Sequence, residues 1–133
     1  MTKKDLNDFN DLAYKFLGYT NKRTNNLTYH SDWNSIMQIV ELIETTTFVL
    51  PEQYKRGFLK NTTHENVIFN VCYDNREEYK GWYSDVSFNF YPPFIYTSTA
   101  GEEHTRFETK KEATINAIYG FLKWYYNIYQ TQN

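Results

Sequence analysis

One cysteine, three prolines and five glycines in 133 residues leave little room for several kinds of chemistry. A single thiol cannot close an internal disulfide or complete a cysteine-based zinc site. Five scattered glycines build no phosphate-cradling loop. No apolar run approaches the roughly 20 residues that span a bilayer, so no membrane partner is expected. The opening MTKKDLNDF carries two lysines and then turns polar and amphipathic, without the apolar core of a signal peptide. Charge of one sign is scarce as well: 14 Lys and Arg stand against 16 Asp and Glu, a net charge of −2. A binder of duplex nucleic acid normally shows a basic face, so that partner is not expected. These features together fit the cytoplasm.

The familiar catalytic patterns are absent too. No HExxH, no G-x-S-x-G elbow and no paired-carboxylate motif occurs, and no two histidines stand three or four residues apart. The sequence therefore implies no cofactor, no metal and no catalytic residue. His64-Glu65 and Glu102-Glu103-His104 are the nearest approach to ligand sets, and they read as solvated loop charges.

Aromatic residues are abundant. They make up 20% of the chain, with 13 Tyr and 10 Phe. Each buried tyrosine must also find a partner for its hydroxyl, so such a composition serves a binding surface as well as a core.

Periodicity places the elements. Leu6, Phe9, Leu12, Ala13, Phe16 and Leu17 keep the spacing of an amphipathic helix, and Gly18 stands where its C-terminus needs a left-handed residue. A second helix starts at Ser31 or Asp32, either of which caps the first turn. Its stripe is Trp33, Ile36, Met37, Val40 and Ile43, and Thr45-Thr46-Thr47 ends it because β-branched residues favour extended backbone. Phe48 to Leu50 suits a short strand before Pro51, and residues 46–66 are otherwise hard to read. Residues 66–74 and 81–91 alternate with period two, and FIYTST supplies a third strand, with Thr105 to Phe107 placed to extend it or pair with it. Thr109 and Glu112 have capping-box spacing at the start of a last helix.

The fold class expected is α+β in a single domain: two N-terminal helices, an antiparallel sheet of three to four strands, and a C-terminal helix packed on the sheet. Helices on both faces would make it a sandwich. Trp33, Ile36, Val40, Val86, Phe88, Ile118, Phe121 and Leu122 should be mostly buried.

Three features suggest chemistry. His30 and Asp32 are either an acid–base pair or parts of a capped helix start. Cys72, between apolar neighbours of a strand, reads as a buried inert thiol. Tyr79, Trp82, Tyr83, Tyr91, Phe94 and Tyr96 cluster around the second strand. Rings with polar tips stack on bases or anchor partners, and Arg23, Arg56, Arg76 and Arg106 can add bidentate contacts to phosphate. The ligand-binding set is Tyr83, Tyr91, Tyr96, Arg76, Arg106 and His30.

Two stretches, YHSDWNSIMQIVELIE and TKKEATINAIYGFLKWYYN, carry a resemblance. They are similar to small proteins of phages and prophages of the Bacteroidota, of the phage α–β–α sandwich family. There, a Y-H-x-x-W start opens a helix closing on Ile-Glu, and a Lys-rich cap opens a final helix closing on Trp-Tyr-Asn. The resemblance implies a layered fold, a phage origin and a location in the bacterial host's cytoplasm. It makes His30 and Trp33 part of a fold signature and implies no reaction.

The function expected is a non-enzymatic phage accessory protein that counters a host defence. It would bind a defence protein or sequester a small nucleotide signal. The alternatives are a structural or interaction module of the phage particle, and a small enzyme using His30 and Asp32. The last helix is apolar or aromatic nearly all round, leaving Tyr119, Tyr126 and Tyr129 beyond the stripe that one sheet face covers. A homodimer through that helix is the expected way to cover them.

Overall fold

Thr2 begins the first helix, α1 (Lys3–Phe16): its Oγ1 accepts the Asp5 N–H at 3.1 Å, and the Asp5 carboxylate accepts the Thr2 N–H at 3.0 Å. Apolar spacing alone does not announce this reciprocal cap. Beyond the C-terminus, Gly18 takes φ +97°, a region open to glycine and strained for other residues. The computed structural model describes residues 1–19, 28–52, 64–89, 93–96 and 106–130.

A short 3₁₀ turn (Tyr29–Ser31) leads into α2 (Trp33–Thr45), and the threonine run converts the chain into β1 (Thr47–Val49). Then follow β2 (His64–Asp74), a 3₁₀ turn (Glu77–Tyr79), β3 (Gly81–Phe88), β4 (Ile95–Tyr96) and α3 (Lys110–Trp124). The strands form one antiparallel sheet in the order β1-β2-β3-β4. In the central pair Val67 faces Phe88, Phe69 faces Val86 and Tyr73 faces Trp82. Phe107 bridges Trp82 from the far side of β3, so the segment before α3 pairs with β3.

The expected class is the observed one: α+β, with the C-terminal helix on the sheet. The helices, however, do not flank it. α2 packs on β2, α3 packs on β3 and β2, and α1 packs against α3. The sheet residues that meet the helices are Val67, Phe69, Val86 and Phe88, with Ser84 Oγ donating to the Ala113 carbonyl at 2.6 Å. The opposite face carries Asn70, Cys72, Asp74, Tyr83 and Asp85, too polar to receive a second helical layer. Among the described residues, all three helices lie on one side.

That arrangement explains why α3 is apolar or aromatic nearly all round. Phe121 meets Phe69 of the sheet, Phe16 of α1 and Phe48 of β1, each ring in an edge-on contact. Past Trp124 the helix widens into a π-helical turn (Tyr125–Tyr129) that swings Tyr129 onto β1, where its hydroxyl accepts the Val49 N–H at 2.7 Å. Tyr119 donates to the Asp8 carboxylate at 2.8 Å. Tyr119 and Tyr129 are thus buried inside one chain, and only Tyr126 remains partly open, under Lys15. They were the argument for a dimer through this helix, and the intramolecular layers already cover two of the three.

Of the eight expected core residues, only Trp33 departs. It is 39% exposed while Ile36, Val40 and Ile43 beneath it are buried. Trp33 is the first helical residue after the Asp32 cap and stands at the open end of the stripe. Cys72 is exposed as well, because its side chain projects from the polar face.

Candidate binding site on the open sheet face

Strand alternation puts Cys72 and Asp74 of β2 opposite Tyr83 and Gly81 of β3, on the face without helices. Gly81 has φ +142°, and a Cβ there would lie 2.5 Å from the Arg106 Cβ. The missing side chain is what lets the segment of Arg106 close against the strand. Arg106 then reaches Asp74 with Nη2 at 3.0 Å and lays its guanidinium over the Tyr83 ring, 4.8 Å from the centroid.

Arg76 arrives from the other side. Its Nε and Nη2 grip the Asp74 carboxylate at 3.0 and 2.7 Å, its backbone N–H adds a third bond at 3.1 Å, and its guanidinium covers the Tyr79 ring. A forked pair of this kind fixes both distance and plane. The hydrogen bonds from Arg76, joined by that from Arg106, hold the Asp74 carboxyl far below the usual carboxylate range. Asp74 likewise raises the Arg76 guanidinium. The Tyr83 phenol is raised, first by its hydrogen bond to the Cys72 thiol and then by charge and burial.

Three of the six expected ligand-binding residues, Tyr83, Arg76 and Arg106, therefore meet around one carboxylate. Asp74 is 8% exposed and Arg106 11%, whereas the Arg76 side chain is 66% exposed. The inner pair is scaffold and Arg76 is the hand held out. Two arginines against one aspartate leave these three side chains with one net positive charge, while Asp85 on the same face lies near enough to act on Tyr83. Asp74 is locked in its ionised form, so it neither gives nor takes a proton near neutral pH. What the arrangement offers is binding of an anion beside aromatic rings.

His30 is elsewhere. Its Nδ1 lies 2.9 Å from the Asn10 side-chain amide, and Asn10 Oδ1 accepts the N–H groups of Tyr29 and His30 at 2.6 and 3.3 Å. Asn10, 3% exposed, also donates to the Leu6 carbonyl, and so ties α1 to the turn before α2. Asp32 caps α2 instead, accepting from the Asn34 N–H and the Ser35 hydroxyl. The acid–base pair of His30 and Asp32 does not form, because each side chain is spent on a different helix. Tyr91, Arg23, Arg56 and residues 102–104 lie outside the described residues, as does the side chain of Tyr96, whose backbone belongs to β4.

The aromatic set also divides. Phe94 stacks on Phe88 and packs against Trp124 in the core. Trp82 pairs edge-on with Tyr73 on the helix side. Among the described residues of the set, Tyr79 and Tyr83 serve the arginines. Asp74 and Asn10 are the residues that sequence reasoning passed over. An aspartate two residues before an arginine, at the end of an alternating strand, was the available signal for Asp74. Asn10 gave none.

A concavity of about 470 Å³ lies on the helix side, lined by Trp33, Met37, Val40, Phe69, Val71 and Lys110. Among the described residues no three His, Cys, Asp or Glu side chains are gathered as a metal would need, and no helix is long and apolar enough to cross a membrane. No protein-family model, curated protein or solved structure matches this chain.

Proposed function

We propose that the protein is a binding module whose open sheet face captures a small phosphate-bearing ligand with a stackable ring, a nucleotide by chemical type. One observation carries this reading. Arg76 is two-thirds exposed, yet its plane is set by Asp74 and Tyr79. An arginine ordered in advance loses little freedom when a phosphate takes its outer edge, and Tyr83, held under the Arg106 guanidinium, supplies a ring nearby. In the phage setting that the two helix signatures suggest, sequestering such a ligand blunts a nucleotide-signalled defence of the host cell.

Calorimetry with a panel of cyclic and linear nucleotides tests the proposal. Binding is expected for at least one member, with Arg76→Ala weakening it at least tenfold, about 1.4 kcal/mol, and Arg76→Lys restoring only part. A folded wild-type chain that gives no heat with any nucleotide removes the ligand reading. A second reading, a module that binds a host protein or a component of the phage particle, is favoured by the exposed Trp33 and Met37 on the helix side.

A further inference from the structure

The sheet has one edge left open in its middle. β1 covers β2 only from His64 to Asn66, and among the described residues no strand pairs with β2 beyond that point on the same side. The even-numbered residues of β2 direct their backbone groups to β3. Phe69, Val71 and Tyr73 direct theirs outward. The Phe69 N–H is taken by the Glu44 carboxylate at 3.1 Å, which closes the edge there. Val71 and Tyr73 keep donors and acceptors facing out.

Natural edges are normally protected by a lysine, a proline, a bulge or a covering element. The stretch Phe69-Asn70-Val71-Cys72-Tyr73 has no charge and no proline. Its helix-side neighbours are apolar and wet: Tyr73 is 50% exposed, Met37 49% and Trp33 39%. An unprotected edge beside an apolar concavity fits the addition of one more strand.

We infer that the added strand is β2 of a second copy, joined antiparallel across a two-fold axis at Cys72. In this register Val71 of one copy exchanges both backbone bonds with Tyr73 of the other, and the reverse, so the outward N–H and C=O groups of Val71 and Tyr73 are all used. The polar side chains match. Asn70, whose amide donates to Asp85 of its own copy at 3.0 Å, faces Asp74 of the other copy, and no like charges meet. On the helix side, the Tyr73 ring of each copy lies beside Val71 of the other, at the mouth of the concavity under Trp33 and Met37. This interface leaves α3 uninvolved and stands independently of any nucleotide.

The register makes a direct test possible. Residues facing each other in a pair without mutual hydrogen bonds have Cα atoms about 4.5 Å apart, within the range of about 4.4–6.8 Å that a disulfide spans. Diamide, which takes two electrons and two protons from a pair of thiols, should link Cys72 to Cys72. The product should appear equally fast over a tenfold dilution and should revert with dithiothreitol. Light scattering of the untreated chain should give twice 16.1 kDa. Tyr73→Lys, with its far-ultraviolet circular dichroism unchanged, should give the monomer mass. A doubly substituted chain, Cys72→Ser with Asn70→Cys, should remain unlinked, because position 70 faces position 74. A monomer mass at about 100 μM would overturn the inference and leave the edge to a foreign peptide. So would a dimer that does not link through Cys72 or that survives Tyr73→Lys.

Discussion

At the scale of single residues, Asp74 shows how much one carboxylate can organise. It holds two guanidiniums, one buried and one exposed, and its own proton is displaced by their hydrogen bonds. A carboxyl that titrates lower in the folded chain than in the unfolded one stabilises the fold above about pH 4, and that contribution is lost as pH falls toward the folded value. Asp74→Asn should therefore melt below wild type at pH 7, and the two should converge as the pH drops from 5 to 2. Parallel melting curves across that window would show that the pair contributes nothing. Tyr129 is a second case. Its hydroxyl is the acceptor for the Val49 N–H, and Tyr129→Phe should cost about 1 kcal/mol in urea titrations. The expected loss is modest because Val49 is 37% exposed and water can replace the phenol.

At the scale of elements, the strand-and-bridge geometry around Gly81 depends on a missing side chain. With φ +142° and the Arg106 Cβ so close, Gly81→Ala should strain the backbone and push the bridging segment off β3. A loss of about 1–3 kcal/mol is expected, together with weaker binding of any ligand that Arg106 helps to hold. An alanine variant as stable as wild type would mean that the segment shifts freely. The helices were legible for local reasons. Thr109 and Asp32 cap as their spacing suggests, and the threonine run ends α2 where three β-branched residues favour extended chain. β2 and β3 were legible because alternation is itself the signature of a half-buried strand. Trp33 and Cys72 were misjudged because a stripe names a face, and only the neighbouring elements decide how far that face is covered.

At the scale of the whole molecule, the rings of Phe16, Phe48, Phe69 and Phe121 join α1, β1, β2 and α3 in one cluster. Phe121 is at its centre and fully buried. Phe121→Ala should destabilise the chain by about 3–5 kcal/mol, since α1, β1 and β2 each lose their partner on α3 and rings close over a cavity poorly. Urea unfolding measures this. A loss below about 1 kcal/mol would deny the cluster its central place. The same layering takes up much of the surplus on α3: Tyr119 and Tyr129 are buried within the chain, while Tyr126 stays partly open and Ile128 is 47% exposed.

By itself the sequence determined the local events. Caps, helix stripes, strand alternation and the stop after α2 depend on residues within a few positions of one another, and their physics is complete at that range. The tertiary structure decided the rest. Arg106 meets Asp74 across 32 positions, Tyr129 meets Val49 across 80, and Tyr119 meets Asp8 across 111. A contact of that span is set by how layers stack, and no local pattern encodes it. For that reason the arginines and Tyr83 were visible as types, while the carboxylate that gathers them into a site emerged only when the strands were paired.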